Sequence, residues 1–331
     1  MQPFCVHTSL RPEDEAFLQR ELEAFIPDKV FDAHAHFVHP QSLCATTNGE
    51  QMSTDGPTNR RLASLFYGRR RYGAMMISYV PPGKDVPGRN QFVADQVARD
   101  ADLRGAMFVT PQDDPEYVRE QVRRLKLHGL KVYHDRAVRQ PTWNAEIPEY
   151  LTEEHVRIAH EEGLTITLHM VKPRAVADPG NIHWIRLYCE KYPNMKLILA
   201  HSARGFQPSH NLEGLPHLKG LDNLYFDTSA NCEPMAHQAI IRIIGHERLM
   251  YGADFPVSHM RGRSVGVADS FLWLYEHSPV WGEKHTQIHP VMIGLEHLRS
   301  VKHACWSERL TDKQVEDIFW NNAAKLFNLA S

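Results

Sequence analysis

The chain predicts a (β/α)8 barrel, a TIM barrel formed by one domain spanning 1–331, and three observations carry that reading. Eight short apolar runs recur along the sequence. Amphipathic stretches with helix caps fill the gaps between them. Several runs end in histidine or aspartate, as strands do when their C-terminal ends open into one functional mouth.

In order, the runs are 29–36 (KVFDAHAH), 73–80 (GAMMISYV), 104–110 (RGAMFVT), 129–134 (GLKVYH), 164–169 (LTITLH), 195–201 (MKLILAH), 223–229 (NLYFDTS) and 249–255 (LMYGADF). Helical patterns cover 114–127, 152–162, 181–192, 234–245 and 313–327, with Thr152 and Thr311 placed as N-caps ahead of acidic first turns. Strands alternating with helices imply a parallel sheet, and eight such units imply closure. A doubly wound open sheet is the alternative. The segment 1–28 reads as an N-terminal extension with a polar, acid-rich helix and no apolar core of the kind a signal peptide needs. The connections 37–60 and 256–310 are unusually long and rich in His, Pro, Ser and Gly. Both would emerge at the mouth, the second as an insertion after strand eight.

Composition excludes several classes of function. A formal charge of −3 leaves no cationic field for nucleic acid or an anionic membrane. The five cysteines are scattered without a CxxC pair, so neither a disulfide framework nor a thiolate zinc site is expected, and a soluble, cytoplasmic protein is. Histidine stands out at 21 residues, and imidazole is both the commonest metal ligand and the usual acid/base near neutrality.

Strict alternation along Phe31-Asp32-Ala33-His34-Ala35-His36 would put Asp32, His34 and His36 on one face. Alone, such a pattern is equally a polar strand terminus. The further strand ends add His169, His201 and Asp254 to the same mouth. Three imidazoles and one carboxylate (His34, His36, His169, Asp254) suit one divalent cation, zinc first, with manganese, iron or cobalt also accommodated. A water bound there would ionise near neutral pH. His201 would orient that water or a substrate oxygen.

The motifs DAHAH, TLHM, ILAHSARGF, YGADFP and FWNNAAKLF, in that order over about 29–328, resemble the amidohydrolase superfamily, in particular the amidohydrolase-related branch that includes aminocarboxymuconate-semialdehyde decarboxylase and several lactonases. The resemblance implies the same four ligands, with His201 beside the nucleophilic water and Asp254 as the catalytic base. It also implies a homo-oligomer, dimer or tetramer. Ser202-Ala203-Arg204-Gly205-Phe206 departs from the glycine-rich stretch that many decarboxylases of the branch carry there. Binuclear members use a carboxylated strand-four lysine, but Lys131 falls short of the strand end, which favours one metal and a structural or substrate role for Lys131.

Arg204, Lys172 and Arg174 follow the site histidines and are candidates to grip a substrate carboxylate. Tyr79 and His134, at strand ends, are candidate donors to a substrate oxygen, as is Tyr133. Two reactions fit this set: metal-dependent hydrolysis of a C–N or C–O bond (amide, lactone or ester) in a small anionic molecule, and metal-dependent, non-oxidative decarboxylation of an aromatic or muconate-like acid. A catalytically silent binding module would be expected to have lost ligands, and none of the five positions is missing.

Overall fold

The computed structural model describes residues 5–78, 80–282 and 288–329. Eight parallel strands lie in sequence order: β1 (Lys29–Phe37), β2 (Arg71–Ser78), β3 (Leu103–Phe108), β4 (Gly129–Tyr133), β5 (Thr165–His169), β6 (Lys196–Leu199), β7 (Leu224–Asp227) and β8 (Leu249–Met250). The sheet closes rather than staying open. Just beyond β8, Ala33 N donates to Tyr251 O at 2.8 Å and Asp254 N to His34 O at 2.7 Å. Gly252 makes that approach possible, because a Cβ on it would sit 3.1 Å from His34 Cβ.

The expected helices are present. The helices are α1 (Gly56–Tyr67), α2 (Val86–Val97), α3 (Pro115–Leu125), α4 (Glu153–Glu162), α5 (Pro179–Lys191), α6 (Pro208–Gly214), α7 (Pro234–Ile243) and α8 (Ile293–Ser307), of which α3, α4, α5 and α7 answer to the sequence patterns, while the pattern at 313–327 forms three consecutive pieces, Asp312–Glu316, Asp317–Asn321 and Asn322–Phe327. Thr152 caps α4 through His155 N, as the sequence suggests, and Thr311 caps the last helical stretch through Gln314 N. Strand residues such as Ala74, Met76, Leu130 and Leu168 pack outward against these helices. Inside the barrel, Phe31, Met75, Ile77, Ala106, Ile198 and Met250 form a second cluster that Trp320 and Phe327 plug from the C-terminal helix. This interior layer is the floor beneath the site.

Two expectations change. The alternation along β1 is interrupted by a register shift against β2 between Asp32 and Ala35. Asp32 therefore turns out of the interior and lines a small space with Asn59, Tyr67 and Tyr72, while His34 and His36 both reach the mouth. The bulge re-aims Asp32 relative to the two histidines that follow it. The N-terminal segment is helical only from Pro12, because Cys5–Val6 pairs in parallel with Ala45–Thr46 of the loop after β1.

That loop carries two short strands, Cys44–Thr46 and Gln51–Met52, paired antiparallel. Beyond β8 the chain forms a β-hairpin, β9 (Gly262–Val267) and β10 (Ser270–Tyr275), before α8. The hairpin's base is anchored by Arg261, whose guanidinium meets Asp14 in a pair with no solvent exposure on either side chain. Both long connections thus carry β-structure at the mouth, and the second also carries α8.

Candidate active site

The mouth holds a cavity of about 670 Å³ lined by His34, His36, His169, His201, Arg204 and Asp254 among others. His34, His36 and Asp254 each offer one donor atom, and these atoms lie within 4.8 Å of one another. Asp254 Oδ1 is 3.3 Å from His36 Nε2 and 3.8 Å from His34 Nε2. Donors bound at roughly 2.0–2.2 Å to one ion stand roughly 3–4 Å apart, so the trio fits a divalent metal. Asp254 takes a left-handed backbone, φ 62°, which aspartate tolerates better than most residues.

The supporting contacts fit a metal site as well. Asp227, at the end of β7, stands 2.9 Å from His34 Nδ1 through Oδ2. A carboxylate there keeps the proton on Nδ1 and leaves the Nε2 lone pair facing Asp254. Asp227 Oδ1 accepts from the backbone N–H groups of His201 and Ser229 and from Ser229 Oγ. Burial alone would raise both carboxyls. The neighbouring histidines outweigh it and hold Asp227 and Asp254 well below the usual range. Burial also lowers His34, so its neutral, ligating form prevails at neutral pH.

One group opposes a cation. Lys131 points into the barrel, almost fully buried, with Nζ 3.3 Å from His34 Nε2. Burial brings its pKa down to about 8, against the pull of Asp227 and Asp254. Lysine and metal would compete for the same lone pair.

The structure separates His169 and His201 from the three-donor group. His201 Nδ1 faces the carbonyl of Ser229 at 2.9 Å, and because a carbonyl only accepts, that nitrogen carries the proton. His201 Nε2 then accepts from His169 Nδ1 at 3.0 Å, and His169 Nε2 accepts from Arg204 Nη1 at 3.3 Å. A directed chain runs Arg204, His169, His201, Ser229. His201 still touches the donor group through Asp254 Oδ2, 4.0 Å away. Burial brings its pKa down to about 4, so it is neutral in this chain.

The candidate substrate groups divide. Arg204 lines the cavity with its guanidinium over Trp143, 5.2 Å from the ring centre, and over Phe271 at 5.6 Å. No carboxylate lies within ion-pair distance of it among the described residues. Tyr133 lines the cavity and stacks on His169 at 4.5 Å. Lys172 instead pairs with Glu146 and Asp178 and borders a smaller cavity of about 250 Å³ behind Arg204. Arg174 pairs with Glu213 on the surface. His134 packs on Trp143 and bonds Thr142 Oγ1 at 3.0 Å, behind the residues that line the cavity. Tyr79 lies outside the described residues.

Sequence reasoning passed over Asp227, although NLYFDTS ends a strand in an acid just as YGADF does. It also missed the aromatic wall of Trp143, Phe206, Phe271 and Trp273. Phe206 stacks on Phe271 at 4.5 Å, and Phe271 and Trp273 arrive on a hairpin with no strand-end signal.

No curated protein matches the chain at a significant level. Among solved structures, an amidohydrolase from Burkholderia multivorans with bound HEPES superposes with a TM-score of 0.60 at 13% identity, covering 91% of this chain and 99% of that one. A probable 2-pyrone-4,6-dicarboxylic acid hydrolase from Acinetobacter baumannii with bound citric acid gives 0.56 at 13% identity, covering 90% and 99%. A dihydroxybenzoic acid decarboxylase from Polaromonas with bound manganese and 2-nitroresorcinol gives 0.50 at 16% identity, covering 91% and 97%. These likenesses show the shared barrel. Residues 31–329 match the family profile described as amidohydrolase, and by that match, over nearly the whole length, the chain belongs to the amidohydrolase family.

Proposed function

We propose that the chain is a metal-dependent hydrolase that cleaves a C–N or C–O bond in a small molecule bearing a carboxylate. The observation that carries this reading is Arg204, a guanidinium without a carboxylate partner among the described residues, facing the same cavity as His34, His36 and Asp254. Those three residues would hold the ion, zinc by preference; His169, the fourth ligand the family resemblance implies, would join them only by releasing Arg204 from its Nε2. When bound, a divalent ion polarises a carbonyl and lowers the pKa of an adjacent water.

The chain's own groups do the rest. Arg204 takes the substrate carboxylate, in a bidentate pair where geometry allows. Asp254, kept ionised, accepts the water's proton and passes it to the leaving nitrogen or oxygen. His201, neutral and fixed in one tautomer by Ser229 O, orients the reacting groups. Phe206, Phe271 and Trp273 exclude water from one side.

The same aromatic wall favours a second reading, decarboxylation of a planar aromatic acid. The hydrolase and the manganese-bearing decarboxylase named above show that this barrel is used by proteins described as either. Zinc- or manganese-loaded protein, incubated with a panel of carboxylate-bearing lactones, esters and amides and a panel of hydroxybenzoates, separates the two. Acid release in a pH-stat with the first panel supports hydrolysis. Carbon dioxide release from the second, with the first inert, overturns it.

A further inference from the structure

His201, Ser202 and Ala203 have backbone angles of (58°, 43°), (52°, 52°) and (59°, 38°), and Arg204 has φ 56°. The four make one turn of left-handed helix. Achiral glycine enters this region freely, and among L-residues asparagine and aspartate visit it most readily, as single residues rather than as a turn. None of the three is present here. Backbone strain of this kind persists only where the surroundings over-determine it.

The surroundings are specific. Asn231 Nδ2 donates to the His201 carbonyl at 3.2 Å. Asn211 Nδ2 donates to the Ser202 carbonyl at 2.9 Å and to the Ala236 carbonyl at 3.2 Å. Ser202 Oγ and His237 Nδ1 lie 2.7 Å apart, and His237 Nε2 lies 3.0 Å from the Asn231 carbonyl. All four side chains are fully buried. Gly205, at φ −75°, is glycine for room rather than for conformation, since a Cβ there would lie 2.5 Å from Asn211 Oδ1.

The turn's product is a spacing. Residues three apart on it share a side, and His201 and Arg204 take the two nitrogens of His169, at 3.0 Å and 3.3 Å.

We infer that Asn211, Asn231 and the Ser202–His237 pair are positioning residues that hold 201–204 left-handed and so set His201 and Arg204 against His169. None of the four lines the cavity. The role is the same whichever reaction the site performs, so its test needs no substrate.

The test uses the full chain carrying Asn211→Ala and, separately, Ser202→Ala, which removes only a hydroxyl. Hydrogen exchange follows the amides of His201 and Gly205. Proton NMR follows the imidazole N–H shared by His169 and His201, assigned with His169→Asn. The expected result is at least about a tenfold loss of amide protection and disappearance of the imidazole signal while the circular dichroism stays native. Adding Ala203→Gly to Asn211→Ala should restore both, because glycine enters the left-handed region without a Cβ penalty. A lowered melting temperature with both signals intact would show a merely structural role and overturn the inference. If Asn211→Ala does not fold, Ser202→Ala decides by the same signals.

Discussion

Replacing Asp227 by asparagine should weaken metal binding without disturbing the fold, and the structure fixes why. Asp227 Oδ1 accepts from His201 N at 3.0 Å and Ser229 N at 3.1 Å, as well as from Ser229 Oγ. Those donors require an acceptor, so an asparagine must place its oxygen there and its NH2 against His34 Nδ1, 2.9 Å away. An NH2 donates, so Nδ1 must give up its proton and Nε2 must carry it. The Nε2 lone pair that faces Asp254 is then gone, and binding a metal requires breaking the new hydrogen bond and returning the proton. Loss of such a supporting carboxylate typically lowers affinity by roughly 10- to 100-fold, which is about 1.4–2.7 kcal/mol. Zinc competition against a chromogenic chelator at pH 7 measures it. Asp254→Asn should lose binding further, being the only carboxylate of the donor trio. Wild-type affinity in Asp227→Asn would refute the tautomer argument and detach His34 Nε2 from the proposed coordination.

Lys131→Met should act in the opposite direction. With its pKa near 8, Lys131 must release a proton to free His34 Nε2, so the variant should bind zinc about tenfold more tightly at pH 7 and equally at pH 9; isothermal titration at both pH values checks this. Arg204→Lys should lower kcat/KM for a carboxylate-bearing substrate by roughly 10- to 150-fold, the range for losing a hydrogen bond to a charged group of about 1.5–3 kcal/mol, and leave a neutral analogue nearly unaffected in steady-state assays. Acid should destabilise the fold early. Burial lowers His128, His134, His201, His237 and His259 to about 4, so the unfolded chain binds more protons below pH 6.5, and the stability these groups give at neutral pH is lost progressively as pH falls from 6.5 towards 4; a urea midpoint unchanged between pH 7 and 5 would contradict it.

The barrel was legible because its signals are local. An apolar run such as LTITLH names a buried parallel strand by composition alone, and its last residue falls at the mouth by geometry, so His36, His169, His201 and Asp254 could be placed there before any contact was known. Two kinds of information were not local. A bulge adds no unusual residue to the sequence, so nothing in DAHAH announced that Asp32 would leave the interior while His34 stayed. The other is pairing across long separations. Lys172 and Arg174 are cations beside a histidine strand end in the sequence, but Glu146 together with nearby Asp178 pairs with the first and the distant Glu213 with the second, whereas Arg204 meets rings instead of carboxylates. Charge alone therefore could not sort these three. The left-handed turn combines both difficulties: its residues, His201 to Arg204, include no glycine, asparagine or aspartate to announce the conformation, and the asparagines that hold it come from α6 and from the loop after β7. That turn and the hairpin carrying Phe271 and Trp273 both border the cavity, and both depend on partners that only the closed barrel brings together.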